Sequence, residues 1–225
     1  MKLFFKHNGV YLLIYVVVLA ILGYILLHHG KVQIHQVINA WVGNPFWDNF
    51  FKYVTHIGDG LFAAIVAAVF LFINVRQAVY ILLSYLGAGA ISSYLKYVLY
   101  ADVLRPNSTF EYFLTEKLRV VEGVEMAGFR SFPSGHALSS FALFFCMMFF
   151  TRNQVLKALF FLLAFVSSFS RLYLSQHWLI DVYVGSMIGV GFSLLFYVVF
   201  YNSPRYAYLN TTLPKLIAEK KQKRV

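Results

Sequence analysis

The stretch Ser170-Arg171-Leu172-Tyr173-Leu174-Ser175-Gln176-His177-Trp178-Leu179-Ile180-Asp181 sets a cation, an imidazole and a carboxylate inside an otherwise apolar sequence. His177 and Asp181 are four residues apart, and a helix would put them on one face. The carboxylate could then accept a hydrogen bond from one ring nitrogen, fixing the tautomer and freeing the other nitrogen to act as a nucleophile. Arg171 adds a planar, permanently charged fork suited to phosphate. Polar residues this dense beside an apolar run are costly in a bilayer and mark a functional site.

Two further groups offer complementary chemistry: Lys96 with Arg105-Pro106, and Pro133-Ser134-Gly135-His136. A phosphate monoester carries nearly two negative charges, and its transfer spreads charge over the equatorial oxygens. Lys96, Arg105 and Arg171 can surround those oxygens. Ser134-Gly135 stands where an apolar run begins, so it is expected at a helix N-terminus, whose free N–H groups favour anions. Glycine lets the backbone come close, and Ser134 can add its hydroxyl. His177 is then the candidate nucleophile, forming a phosphohistidine. His136 is the candidate acid that protonates the leaving oxygen and later activates water. Three cations and a helix terminus supply the positive charge, so neither a metal nor another cofactor is expected.

The elements that must position these groups are membrane spans. Of the 225 residues, 60% are hydrophobic and only 12% charged, against about 25% charged in a soluble domain; the mean hydropathy is +0.68. The net charge of +10 is spread along the chain rather than gathered in one soluble domain, which argues against a nucleic-acid partner. The single cysteine, Cys146, lies in an apolar run and forms no intrachain disulfide.

Residues 1–225 are read as one membrane-embedded domain of the all-α class. It is a polytopic bundle of six transmembrane helices, at about 10–27, 61–75, 78–100, 135–150, 155–169 and 177–201, with short interfacial helices and a basic tail over 202–225. Lys2 and Lys6 precede the first run without a small-residue cleavage site after it, which predicts an uncleaved span. Trp41, Phe46, Trp47, Phe50, Phe51 and Tyr53 suit the membrane–water interface, with a break at Gly43-Asn44-Pro45. Arg76-Gln77 reads as a tight turn, Ser170 to Gln176 as a short loop, and Gly87 and Gly89 as points of close helix approach. Glu111, Glu116, Glu122 and Glu125 fall in the long polar stretch from Ala101 to Ser134, as a solvated external loop or a lid. His28, His29, His35 and His56 have no metal-ligand spacing and read as interfacial packing or loop hydrogen-bonding residues.

With the N-terminus inside, eleven Lys and Arg residues fall on the inner side and eight on the outer. Lys96, Arg105 and Arg171 are among the outer eight and have a chemical reason to be there. Both termini are therefore expected in the cytoplasm. The loops carrying the three motifs follow odd-numbered spans, so six spans put them on one face, toward the periplasm or exterior.

These motifs resemble those of the type 2 phosphatidic acid phosphatase superfamily, over about Val10 to Tyr201. Ser170, Arg171, His177 and Asp181 match the pattern Ser-Arg-x5-His-x3-Asp, and Pro133 to His136 match Pro-Ser-Gly-His. In the third pattern, Lys-x6-Arg-Pro, Arg105-Pro106 matches, but Lys96 stands eight residues away rather than six. Tyr100-Ala101-Asp102 is expected to bulge and absorb the difference, with Arg119 or Arg130 as substitutes for Lys96. The resemblance implies a metal-independent phosphohistidine mechanism. It implies catalytic His177, His136 and Asp181, and phosphate-binding Lys96, Arg105, Ser134, Gly135 and Arg171. It also implies a phospholipid or polyprenyl pyrophosphate substrate, such as undecaprenyl pyrophosphate, phosphatidylglycerol phosphate, phosphatidic acid or a lipid A phosphate. Short loops favour a bacterial inner membrane; nothing in the spacing sets an oligomeric state. A lipid phosphotransferase using the same intermediate and a non-catalytic lipid-binding scaffold are the competing readings. Taken singly, His136 could be a helix-start residue and His177 with Asp181 a structural pair.

Overall fold

The computed structural model describes residues 2–222, so the tail residues Lys223 and Arg224 lie outside it. The described residues form helices and connecting turns, with no strand among them. In chain order these are α1 (Lys2–His28), α2 (Lys31–Asn39), α3 (Pro45–Val54), α4 (Gly60–Ile73), α5 (Val75–Tyr94), α6 (Pro106–Phe113), α7 (Gly135–Phe150), α8 (Gln154–Tyr173), α9 (Leu179–Phe196) and α10 (Leu213–Gln222). A 3₁₀ turn, Thr55–Gly58, joins α3 to α4, and π-turns follow α5 at Leu95–Leu99 and α9 at Tyr197–Tyr201.

Four helical segments are long and apolar enough to cross a membrane: Leu3–His28, Val75–Leu99, Gln154–Tyr173 and Leu179–Tyr201. The pair Pro45–Gly58 and Gly60–Ile73, bent by 55°, would make a fifth. The six expected stretches are all helical, but the structure gives four to five candidate spans. The reason is length. Helix α4 has 14 residues and α7 has 16; at about 1.5 Å per residue both fall short of a hydrocarbon core of ~30 Å.

Helix α7 is the centre of the bundle, buried along almost its whole length. Helix α9 lies against it through two glycines. A Cβ on Gly185 would stand 2.6 Å from the Ser134 carbonyl oxygen, and one on Gly189 2.6 Å from that of Leu138. Ser193 Oγ adds a hydrogen bond to the Ala142 carbonyl at 3.0 Å. Helix α5 closes on α9 at Gly87, where a Cβ would meet Phe192 at 2.7 Å, and through Tyr80 Oη, which donates to the Ser193 carbonyl at 2.8 Å. Gly89 has nothing within 4 Å and is no contact point. Helix α1 is largely exposed along its apolar length. Lys157 of α8 fastens its N-terminal end, donating to the His7 carbonyl at 3.0 Å and to the Asn8 side chain.

The break between α2 and α3 falls at Gly43-Asn44-Pro45: Gly43 has φ +108°, and Asn44 Oδ1 caps α3 by accepting from Phe46 N and Trp47 N. Three other boundaries differ from expectation. Asn74 caps α5 through Gln77 N, so Arg76 and Gln77 are helical and the turn is Asn74 itself. Helix α8 continues through Ser170 and Arg171 to Tyr173. Helix α9 begins at Leu179, so His177 precedes it rather than sharing its face with Asp181.

Candidate active site

The site is assembled at one end of α7 from the ends of α5, α8 and α9 and from two loops. His177 lies in the short 174–178 loop, 1% exposed. Its Nδ1 is 3.3 Å from Asp181 Oδ2. Asp181 is in the first turn of α9, and the same Oδ2 accepts from Trp178 N at 2.9 Å and from Ser131 Oγ at 2.5 Å. The chain turns back between His177 and Asp181, so the carboxylate caps its own helix and holds the imidazole in one act. The Nε2 atom of His177 is the nitrogen left without a fixed partner. Burial, and then the charges of Arg105, Lys96 and Arg171, push the His177 pKa well below its ordinary 6.5. That lowering favours the neutral ring over the imidazolium.

The same three cations stand around His177. Arg171 is in the last turn of α8; its Nη1 donates to Thr55 Oγ1 at 2.8 Å, while its Nε is buried without a partner among the described residues. Arg105 precedes α6, and its Nη1 donates to both the carbonyl and Oε1 of Gln176, at 3.1 and 3.2 Å. Lys96 reaches the pocket despite its spacing. Its Nζ lies 3.6 Å from where a Cβ on Gly135 would stand. Lys96 lies within the π-turn Leu95–Leu99, which is closed by Tyr100 N donating to the Leu95 carbonyl at 2.8 Å. Arg119 points elsewhere, donating to the carbonyls of Ala40 and Val42, and Arg130 stacks over Tyr97.

Ser134 has structural contacts beyond the role expected of it. It is fully buried, its Oγ accepts from Ala137 N at 3.3 Å as the cap of α7, and its N–H donates to the Asp181 carbonyl at 3.0 Å. It ties α7 to α9, and because Oγ only accepts in that cap, its own O–H remains a donor. Gly135 occupies the first helical position beside Lys96. His136, one residue on, has its Nε2 2.6 Å from Asp59 Oδ1.

Sequence reasoning missed four participants. Ser131 holds Asp181, Gln176 holds Arg105, Thr55 holds Arg171, and Asp59 meets His136. Only Asp59 carried a local signal, an Asp-Gly step before an apolar run. His35 backs the site: its Nε2 pairs with Ser175 Oγ at 3.0 Å, in a loop where Ser175 has φ +53°. The loop from Leu114 folds onto this support. Glu116 accepts from Gln36, and the Glu122 and Glu125 carbonyls accept from Lys52 and Gln176.

Residues 77–205, more than half of the chain, match the profile of the PAP2 superfamily. The chain belongs to this superfamily. The matched region carries the Lys96, Arg105, His136, Arg171, His177 and Asp181 constellation. Membership makes the protein a phosphatidic acid phosphatase-like hydrolase of lipid phosphates. A lipid A 4′-phosphatase of Bacteroides thetaiotaomicron is 28% identical over 190 residues, 82% of this chain and 83% of that one. Two crystal structures share the fold. LpxE of Aquifex aeolicus superposes with a TM-score of 0.62 at 22% identity, over 72% of this chain and 92% of the other. A phosphatidylglycerolphosphate phosphatase of Bacillus subtilis gives 0.61 at 19% identity, over 89% and 98%.

Proposed function

We propose that this PAP2 protein hydrolyses a phosphate monoester on a lipid headgroup through a phosphohistidine at His177, without a metal. The observation that carries the reading is the His177–Asp181 pair, with Nδ1 held and Nε2 unheld, beside a pocket bounded by Lys96, Arg105 and Arg171. In the first step His177 Nε2 bonds to phosphorus as the phosphorus–oxygen ester bond breaks. His136 gives its proton to the departing lipid oxygen. In the second step a water loses a proton to His136, its oxygen bonds to phosphorus, and the nitrogen–phosphorus bond breaks. Inorganic phosphate leaves with both histidines restored. The three cations stabilise charge on the equatorial oxygens throughout.

The site lies at the end of α7 where the α5–α7 and α8–α9 connections meet, which we read as one membrane face. The Lys and Arg distribution puts that face outside a bacterial inner membrane and both termini in the cytoplasm. A headgroup can then enter while its acyl chains stay in hydrocarbon. The coverage of the lipid A 4′-phosphatase favours a lipid A-type phosphate as substrate, ahead of phosphatidylglycerol phosphate, phosphatidic acid and undecaprenyl pyrophosphate.

The test is phosphate release by purified protein in detergent with EDTA, over those four lipids, with His177→Ala as blank. Release above the blank, greatest from lipid A phosphate, is expected. Release only when an acceptor alcohol is supplied would identify a phosphotransferase; none under either condition would identify a scaffold.

A further inference from the structure

The proposed acid, His136, sits in surroundings hostile to a proton. Arg171 and Lys96 place positive charge beside it, and His177 faces the same pocket. A general acid must nonetheless carry its proton into the reaction. The carboxylate that meets this need is Asp59, whose Oδ1 lies 2.6 Å from His136 Nε2. Asp59 is the N-cap residue of α4, yet among the described residues its carboxylate makes no capping hydrogen bond. Its second oxygen, Oδ2, is 3.0 Å from Nδ1 of His56, which is 68% exposed.

The backbone that presents Asp59 is fixed. A Cβ on Gly58 would stand 2.6 Å from Ser167 Oγ and 2.7 Å from Ser140 Oγ, so the 3₁₀ turn lies directly on α8 and α7. At the other end of the turn, Thr55 takes the hydrogen bond from Arg171. One four-residue turn thereby couples a phosphate-binding arginine to the partner of the acid.

We infer that Asp59 is the positioning residue for His136, holding Nε2 and favouring the protonated ring, with Nδ1 presented to the leaving oxygen. This rests on the phosphatase reading above. It gives the site two carboxylate–imidazole pairs with opposite tasks. Asp181 holds a neutral nucleophile, and Asp59 sustains a charged acid. The proton delivered to the lipid oxygen is the one returned by water in the second step, so the pair ends each cycle unchanged.

A general acid matters most when the leaving oxygen is a poor leaving group. The value of kcat/KM, which reports the steps through phosphorus–oxygen cleavage, is to be compared for dioctanoyl phosphatidic acid, which expels an alkoxide, and p-nitrophenyl phosphate, which does not need the proton. Asp59→Asn should lower the first by about 100-fold or more, within the usual range for acid catalysis, and the second far less. His136→Ala should show the same pattern, and the double variant should be no worse than His136→Ala alone. Equal losses on both substrates, or losses that multiply in the double variant, would overturn the assignment. A second readout needs no turnover. In ¹⁵N-histidine spectra, assigned with His136→Ala, Asp59→Asn should lower the pH at which His136 loses its proton by about one unit or more. An unmoved His136 resonance also rejects the inference. If the wild-type protein cleaves neither of these substrates nor any of the four lipids above, the phosphatase reading fails while the spectra still decide whether Asp59 governs His136.

Discussion

At the residue scale, Asp181 carries more than its spacing suggested. It was legible as a partner for His177 because a carboxylate four residues from a histidine suggests a shared helix face. The contact forms for another reason: Asp181 caps the helix that follows, and His177 rests against the cap. Asp181→Asn replaces an acceptor with a group that can donate, toward Ser131, Trp178 N and His177 alike. Turnover should fall by about 10³–10⁴, as when the orienting carboxylate of a catalytic triad is lost. A loss under tenfold in single-turnover phosphate release would remove Asp181 from the mechanism. Ser131→Ala deletes a buried hydrogen bond to that carboxylate. A bond to a charged group is worth about 1.5–3 kcal/mol, so kcat should drop roughly ten- to a hundredfold with KM little changed. A raised KM at constant kcat would show that Ser131 serves binding instead. Lys96→Gln should cost about 10²–10³ in kcat/KM if its ammonium meets the phosphate; a near-normal value would return the role to Arg105 and Arg171 alone.

At the element scale, the apolar runs were readable because the bilayer demands long uninterrupted hydrophobicity. The exact ends were not, because caps decide them. Asn74 and Ser134 each spend a side-chain oxygen on the first turn of a helix, and that choice depends on local backbone geometry. The close packing of α9 on α7 gave no sequence signal beyond two glycines in an apolar run. Gly185→Ala would drive a methyl group to 2.6 Å from the Ser134 carbonyl, a backbone atom that cannot turn aside. The variant should lose about 1–3 kcal/mol of stability, the usual cost of overpacking, and should lose activity too, since Ser134 N is bonded to the Asp181 carbonyl. Gly191→Ala on the same helix meets nothing within 4 Å. It should gain up to about 1 kcal/mol from helix propensity. Melting temperatures in detergent distinguish the two; equal behaviour would contradict the close α7–α9 contact.

At the scale of the whole molecule, the 174–178 loop is supported from behind by α2, through His35, Asn39 and the stacking of Lys31 on Trp178. Burial pushes the His35 pKa down to about 4, from its ordinary 6.5. Between those values the unfolded chain binds a proton that the folded chain refuses. The stabilisation from a neutral His35 is therefore complete above about pH 6.5 and is lost as pH falls toward 4. The melting temperature should decline over that window, and less steeply in His35→Gln; identical pH profiles would show that His35 does not control the loop. The sequence by itself determined the membrane setting, the helical class and the six motif residues Lys96, Arg105, His136, Arg171, His177 and Asp181. Hydrophobic length and the chemistry of phosphate both act on residue type and order, which a sequence states outright. Only the tertiary structure decided that Ser134 would serve as a helix cap, that a π-turn would bring Lys96 back to the pocket, and that Asp59, Ser131 and Gln176 would stand behind the reacting groups. Those contacts join residues up to about eighty positions apart, and their energy exists only once packing has made them neighbours in a dry interior, where a carboxylate beside an imidazole is worth far more than in water.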